Sequence, residues 1–357
     1  MALNCNLNHI NMSQNPLGMQ GLSFIEFSSE SPDALRRLFL DLGFALTHKH
    51  PGSHKELWTQ NQICLLLNSD PGSYGLEFSK VHGPTISSMG WSFVDPGTAF
   101  SKALERGAKV APQSDYLSRG KEKVPAILGI GDTLIYFVSA RTPEQLTEEL
   151  GFVRQEHVKS SGCGFLSIDH LTNNVSFGTM GTWQAFYRDI FGFQDVRTFK
   201  IRGNKTSLQS YALRSPDGSF CIPINEASES KSQINEFIEK HQGPGIQHLA
   251  FLTGDLLGSL ESLQGTSVST LDIQESYYKH VFKRVPGVKE DHDRIKRFNV
   301  LVDGDADGYL LQIFTKEIVG PMFIELIQRN NHLSFGEGNF QALFDSIERD
   351  QERRGVL

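Results

Sequence analysis

Residues 243–253 read GPGIQHLAFLT, and residues 83–93 read GPTISSMGWSF. Both open on Gly-Pro, continue as strand-like runs of apolar residues broken by small or polar ones, and lead into an amphipathic helix. The helices are DLLGSLESLQGTSV in the later copy and TAFSKALERGAKV in the earlier. Upstream, SFIEFSS (23–29) matches SIDHLTN (167–173), and each precedes a helix with a similar ending, LRRLFLDLGFALTHK and WQAFYRDIFGFQDVRTF. Downstream, TLIYFVS (133–139) matches MFIELIQ (322–328). Each half therefore reads strand–helix–strands twice over. The period is far longer than the units of a solenoid, roughly 20–50 residues. The connections are too varied for a regular βαβα succession, so a doubly wound parallel sheet is disfavoured. The expectation is a duplicated α+β fold.

The helices are short, with Leu35, Leu38 and Phe39 on one apolar stripe and Trp183, Phe186 and Tyr187 on another. The domain boundaries follow from the same pattern. Residues 1–20, polar and Asn-rich, read as a flexible N-terminus, 21–150 as the first domain, 151–163 as a linker, and 164–357 as the second domain. At the far end, Phe340, Leu343, Phe344 and Ile347 fall at helical spacing behind Asn339, which reads as an N-cap, with Gly336 and Gly338 ahead as a hinge. By composition alone this is a helix that packs on the core.

At 357 residues with 39% hydrophobic side chains, the chain can bury two substantial cores. A net charge of −7 and no dense Lys/Arg block argue against nucleic acid. No run approaches the ~18–20 apolar residues of a membrane span, and the N-terminus lacks the basic and apolar regions of a secretory signal. A cytoplasmic protein with no membrane partner is expected. Cys5, Cys64, Cys163 and Cys221 have no zinc-like spacing and read as reduced thiols.

Twelve histidines are present, and two stand out by context. His170 in FLSIDHLT and His248 in GIQHLAFLT are polar residues in apolar strand-like runs, and Glu325 in MFIELIQ is a third. A carboxylate pointing into an apolar strand face is costly unless a charge compensates it. A divalent cation would do so, and two neutral imidazoles with one carboxylate are the facial set of non-haem iron(II) oxygenases, leaving one side of the metal open. Each histidine alone is more often a hydrogen-bonded core residue. The duplication raises the metal reading: in the matched runs His170 falls on Glu26, His248 on Ser88 and Glu325 on Tyr136, so only the second half keeps a usable set. His48 and His50, and His280 with His292, sit in polar or charged surroundings and read as solvated. No GxSxG, Walker or GxGxxG motif is present.

The chain resembles the 4-hydroxyphenylpyruvate dioxygenases of the vicinal-oxygen-chelate superfamily. The phrases are IDHLT (168–172), LQSYAL (208–213), IPINE (222–226), KSQI (231–234), GIQHLAF (245–251), LLQIFT (310–315), FIELIQR (323–329) and FGEGNF (335–340), and the terminal IERDQERRGVL is similar to bacterial members. The resemblance is dense in residues 165–350 and looser before them. It implies two vicinal-oxygen-chelate domains of paired βαβββ modules, each an open, curved, barrel-like sheet, with a C-terminal lid helix. It implies one Fe(II) per chain on His170, His248 and Glu325. It implies a pocket in which Ser210, Asn225, Gln233, Gln247 and Gln312 orient the substrate, with Pro223, Phe314 and Phe323 as walls and Phe335, Gly336, Asn339 and Phe340 at the gate. Strand parity agrees for most of these, but would point Gln247 away from His248, so the strand twists there or Gln247 acts from behind. The implied reaction takes 4-hydroxyphenylpyruvate and O2 to homogentisate and CO2, a step of tyrosine and phenylalanine catabolism whose product oxidises to a brown pyomelanin pigment. The substrate brings its own α-keto acid, so no separate co-substrate site is needed. A homo-oligomer, dimer or tetramer, is implied too. The alternatives are hydroxymandelate synthase, against which Phe314 and Pro223–Asn225 speak, and a ligand-binding member of the superfamily without turnover.

Overall fold

The matched runs become corresponding strands. The computed structural model describes residues 14–156, 162–202, 207–229, 232–353 and 355. The first half opens with β1 (Met19–Ser28), α1 (Asp33–Asp41), β2 (Ala45–Lys49), β3 (Lys55–Gln60) and β4 (Ile63–Asn68). After α2 (Tyr74–His82) come β5 (Thr85–Phe93), α3 (Pro96–Glu105), the ribbon β6 (Leu117–Ser118) and β7 (Glu122–Lys123), then β8 (Ala126–Leu128) and β9 (Leu134–Val138). Next are α4 (Pro143–Leu150) and β10 (Val153–Arg154). The second half opens with β11 (Phe165–Val175), α5 (Met180–Ala185), β12 (Gln194–Arg202), β13 (Ser207–Arg214) and β14 (Cys221–Ala227). After α6 (Gln233–His241) come β15 (Gly245–Thr253), α7 (Leu256–Ser262), α8 (Glu275–Arg284), α9 (His292–Arg297), β16 (Leu301–Gly304), β17 (Tyr309–Phe314) and β18 (Phe323–Asn330). A 3-10 turn, Glu337–Asn339, leads into α10 (Phe340–Arg353).

Each half is one eight-stranded sheet, in the orders β10-β2-β3-β4-β1-β5-β9-β8 and β12-β13-β14-β11-β15-β18-β17-β16. In each, two modules meet along an antiparallel pair, β1 with β5 and β11 with β15. The third strands that flank this seam run parallel to it, β9 beside β5 and β18 beside β15. Polar N-caps start the helices where backbone N–H groups would otherwise be orphaned: Ser73 accepts from Leu76, Asp95 from Thr98 and Ser232 from Asn235. The α1 stripe is buried at Leu35, Leu38 and Phe39 as its spacing predicts. The second stripe differs. Residues Phe186–Phe191 wind as a π-helix, and Tyr187, Ile190 and Phe191 are the buried ones, while Trp183 and Phe186 pack at the margin of the core. The wider turn rotates the face by part of a residue, which a 3.6-residue period cannot anticipate.

One core spans both halves: Phe165 and Phe251 stack at 5.0 Å, and Phe44 of the first half packs on both. Two expected boundaries shift. Residues 1–13 lie outside the described residues, but the rest of the segment expected to be flexible is packed. Asn15 is buried and its side chain holds Met19 at both backbone N and O, each at 2.8 Å. Within the expected linker, Val153 and Arg154 pair with Lys49 and His48 at the edge of the first sheet, and Cys163 N donates to Gln60 at 2.7 Å. Residues 157–161 of that linker lie outside the described residues.

Candidate metal centre

β11, β15 and β18 each bring one ligand-capable side chain to the concave side of the second sheet. Among the described residues, His170, His248 and Glu325 form a group of three whose ligand atoms lie within 4.8 Å of one another. His170 Nε2 is 3.1 Å and His248 Nε2 3.5 Å from the same Glu325 oxygen. All three side chains are buried.

Two β-bulges create this convergence. On β11, Ile168 faces Phe251 and His170 faces Ala250, so Asp169 is an extra residue without a partner. On β15, His248 faces Thr172 and Ile246 faces Asn173, so Gln247 is the extra residue. A bulge breaks the alternation of faces. It turns Asp169 and Gln247 to the same side as the histidines beside them. Asp169 Oδ2 accepts from His170 Nδ1 at 2.7 Å, and Gln247 Oε1 accepts from His248 Nδ1 at 3.1 Å. With Nδ1 carrying the proton in both rings, both Nε2 atoms are aimed at Glu325. Gln247 thus faces the pocket by local backbone irregularity, which parity alone could not show.

The three groups are strongly coupled electrostatically. Burial alone would raise the Glu325 carboxyl, but His170 and then His248 outweigh it and hold it below its ordinary range. Burial opposes charge on His170, yet Glu325 and Asp169 push it up to about 9. Burial dominates at His248 and lowers it. Behind the set, Arg329 clamps both oxygens of Asp169 at 2.7 Å. Burial alone would raise the Asp169 carboxyl, but Arg329 and His170 keep it strongly depressed. Asp169 and Arg329 were not among the residues expected at the site. Their signals were the charged residue next to His170, and Arg329's even spacing from Glu325, which places both on one strand face.

The ligand-capable atoms face a cavity that is partly open to solvent. It is lined by Ser210, Pro223, Asn225, Gln233, Gln247, Gln312, Phe314, Phe323, Phe335 and Phe340. Phe323 stacks on His248 at 4.7 Å, and Phe335 meets the edge of His170 at 5.6 Å. Asn225 lies opposite Ser210 across β13 and β14 and donates to Gln247 at 3.5 Å. Gly336 and Asn339 are not part of the lining. Asn339 sits in the 3-10 turn, not as the cap expected of it, and its side chain turns inward. It donates to Gln312 at 3.2 Å and accepts from Tyr277 at 2.6 Å. α10 closes the cavity with Leu343, Phe344 and Ile347, apolar residues of the stripe read from its spacing. Elsewhere, His280 and His292 are exposed, whereas His48 and His50 are half-buried.

The first half repeats the architecture without the chemistry. Its bulges fall at the same places, with Glu26 facing Ser88 and Phe24 facing Gly90 as Thr172 faces His248 and His170 faces Ala250. The residue corresponding to His170 is therefore Phe24. The alignment of the runs on Glu26 is corrected by two residues along the strand, a slip that preserves the face and so hides from sequence. Ser88 and Tyr136 do correspond to His248 and Glu325. Phe24 packs on Tyr116 and Tyr136, and a Cβ on Gly90 would overlap its ring. Glu26 accepts from Tyr116, Ser87 and Ser88 in a sealed network.

Comparison with known proteins accords with this. The model of the N-terminal domain of hydroxyphenylpyruvate dioxygenase matches residues 13–149, and that of the glyoxalase/bleomycin resistance protein/dioxygenase superfamily matches 167–313. Protein MelA of Shewanella colwelliana is 51% identical over 346 residues, 96% of this chain and 99% of the relative. The 4-hydroxyphenylpyruvate dioxygenase of Legionella pneumophila (strain Corby) is 39% identical over 97% of this chain and 98% of the relative. That of Pseudomonas aeruginosa is 39% identical over 96% and 97%. Among solved structures, a variant of 4-hydroxymandelate synthase from Streptomyces coelicolor superimposes with a TM-score of 0.80 at 24% identity, covering 94% of this chain and 99% of that one, a likeness of fold.

Proposed function

The chain belongs to the 4-hydroxyphenylpyruvate dioxygenase family, and from that premise we propose that His170, His248 and Glu325 hold one Fe(II) at which its reaction takes place. The enzyme converts 4-hydroxyphenylpyruvate and O2 to homogentisate and CO2. The observation that carries the metal reading is a buried carboxylate faced by two imidazole Nε2 atoms, with a cavity on its other side. Two nitrogens and one oxygen, neutral apart from one charge and fixed from one side, suit a divalent iron that must leave positions free. Bound there, Fe(II) would supply the redox and Lewis-acid chemistry that links the α-keto acid to O2.

The chain's own residues do the rest. Asp169 and Gln247 accept from Nδ1 of the two rings, so that both Nε2 atoms are directed inward and, once His170 gives up its Nε2 proton to a metal, both would offer it a lone pair. Phe314 and Phe323 would hold the substrate ring by offset stacking and edge contact. Ser210, Asn225, Gln233 and Gln247 would meet the ring hydroxyl. Gln312 is held by Asn339 and would fix the other side of the ring. Phe335, Phe340 and the apolar face of α10 would keep water from the reacting atoms. Among the described residues no helix is long and apolar enough to cross a membrane. The same reading makes the enzyme a cytoplasmic homo-oligomer, a dimer or tetramer, which light scattering would measure. The test of function is O2 uptake with 4-hydroxyphenylpyruvate, with and without added Fe(II), followed by product identification. Iron-dependent uptake with homogentisate as product is expected. Hydroxymandelate as product, or no uptake by iron-loaded protein, would overturn it.

A further inference from the structure

We infer that Arg329 is a positioning residue that ties the aim of His170 to the seating of the segment leading into α10. The inference rests on the metal reading above. Arg329 lies four residues beyond Glu325 on β18 and its side chain is 14% exposed. Its Nε and Nη2 grip Asp169 Oδ1 and Oδ2, each at 2.7 Å, while Asp169 Oδ2 also accepts from His170 Nδ1. A two-point grip fixes the plane of a carboxylate as well as its place. The oxygen offered to His170 is thereby fixed in direction, and with it the ring.

The same guanidinium has a second task. Its Nη1 donates to the carbonyls of His332 and Ser334, at 3.1 and 2.6 Å. Those residues immediately precede Phe335, whose ring touches His170, and Gly336, which packs on Gln312. One side chain therefore spans from the metal-facing ring to the entry of the lid. Lifting the segment 332–336 would strip Nη1 of both acceptors and free the guanidinium to leave Asp169.

A packing role would be expected in both copies of the duplicated fold. In the first half the corresponding positions are Ser23 and, by extension of the β9 register, Ala140. The half that lacks the ligand set lacks this pair also. Coupling between two sites is reciprocal, so metal should steady the segment 332–340 and a seated segment should tighten metal binding.

The experiment titrates metal-free protein with Co(II) by calorimetry and follows amide exchange in 332–340 with and without Co(II), with no substrate present. In the natural chain Co(II) should slow that exchange. Arg329→Gln should weaken Co(II) binding roughly 10–100-fold and abolish the slowing. Arg329→Lys keeps the charge but loses the fork; it should do the same to a smaller degree, and it serves if the Gln variant does not fold. A purely structural role would lower the melting temperature of the metal-free variants while leaving Co(II) affinity within about twofold, and that outcome overturns the inference. Exchange in 332–340 that ignores Co(II) in the natural chain overturns it as well. Failure of the natural chain to bind Co(II) at all would fall on the metal reading and take this one with it.

Discussion

Glu325 survives complete burial because two imidazoles face one of its oxygens, and this makes the three residues interdependent. Removing any one leaves the others as buried polar groups without their partner, and a metal held there would keep two protein ligands. His170→Ala, His248→Ala and Glu325→Ala should each reduce Co(II) or Fe(II) binding by a hundredfold or more, on the order of 3 kcal/mol, and abolish turnover, while the chain stays folded. Metal titration and circular dichroism check both halves of that statement; a variant that still turns over would remove its residue from the ligand set. Glu26 is the counterpart in the first half. Burial, then Asp115, pushes its carboxyl up to about 7 from an ordinary 4.5. Between those values the folded chain keeps a proton that the unfolded chain has lost. The stabilising contribution is therefore full below pH 4.5 and fades as pH rises to about 7, by on the order of 3 kcal/mol. Glu26→Gln should melt progressively higher relative to the natural chain as pH rises from 4.5 to 8. A difference that does not change with pH would mean the carboxyl is already ionised in the fold.

At the scale of elements, α10 is held along its length by Ser346 to the Asp272 carbonyl and Gln351 to Glu236, and also at its entry. The 3-10 turn is pinned by Gly338 N to Asp303, by Asn339 to Gln312, and by Arg197 to Glu337. Gly336 has a φ of 78° and stands so close to Gln312 that a Cβ would overlap the amide. Gly336→Ala should strain the backbone by about 1–2 kcal/mol and also displace Gln312, raising KM for 4-hydroxyphenylpyruvate several-fold and lowering kcat. Gly52→Ala is the control. Its φ of 77° is as demanding, but nothing lies within 4 Å of the added atom, so it should cost similar stability and leave kinetics unchanged. Equal kinetic effects from both would show that strain alone, and not the seating of the lid, controls the cavity. On the lid helix, Phe344 is buried between α6 and the cavity, and Phe344→Ala should cost about 3–5 kcal/mol by the hole it leaves.

At the scale of the whole molecule, two copies of one architecture are pressed together through shared core and shared polar contacts. His241 of α6 lies at that junction. Its ring stacks on Phe237 at 5.0 Å and on His82 at 4.5 Å, and Nε2 meets the Thr85 hydroxyl at 2.9 Å. Burial lowers it from 6.5 to about 4. A depressed base stabilises the fold above pH 6.5 and loses that contribution as pH falls towards 4, on the order of 3 kcal/mol. Glu26 and His241 thus act in opposite directions between pH 4.5 and 6.5 and largely cancel. His241→Gln should leave a chain whose melting temperature falls with rising pH in that window, and Glu26→Gln one whose melting temperature rises. If His241→Gln leaves the profile unaltered, the ring titrates in the fold as it does in the unfolded chain, and its assigned role is wrong.

The duplication, the short helices, the apolar face of α10 and the three ligand-capable residues were all legible in the chain. They rest on local periodicity and on polar residues set in apolar runs, which any strand or helix of that sequence must express. What stayed hidden depended on single extra residues in paired strands. The bulges at Asp169 and Gln247 appear only when β11 is laid on β15, because a bulge is a property of the pair and not of either strand. They decide that Gln247 faces the cavity, that Asp169 can orient His170, and that Phe24 and not Glu26 fills the corresponding place in the first half. The bond from Arg329 to Asp169 joins residues 160 apart in the chain. Sequence alone determined which side chains could bind a metal; the pairing of strands decided which neighbours aim them, since only pairing fixes where the alternation of faces breaks.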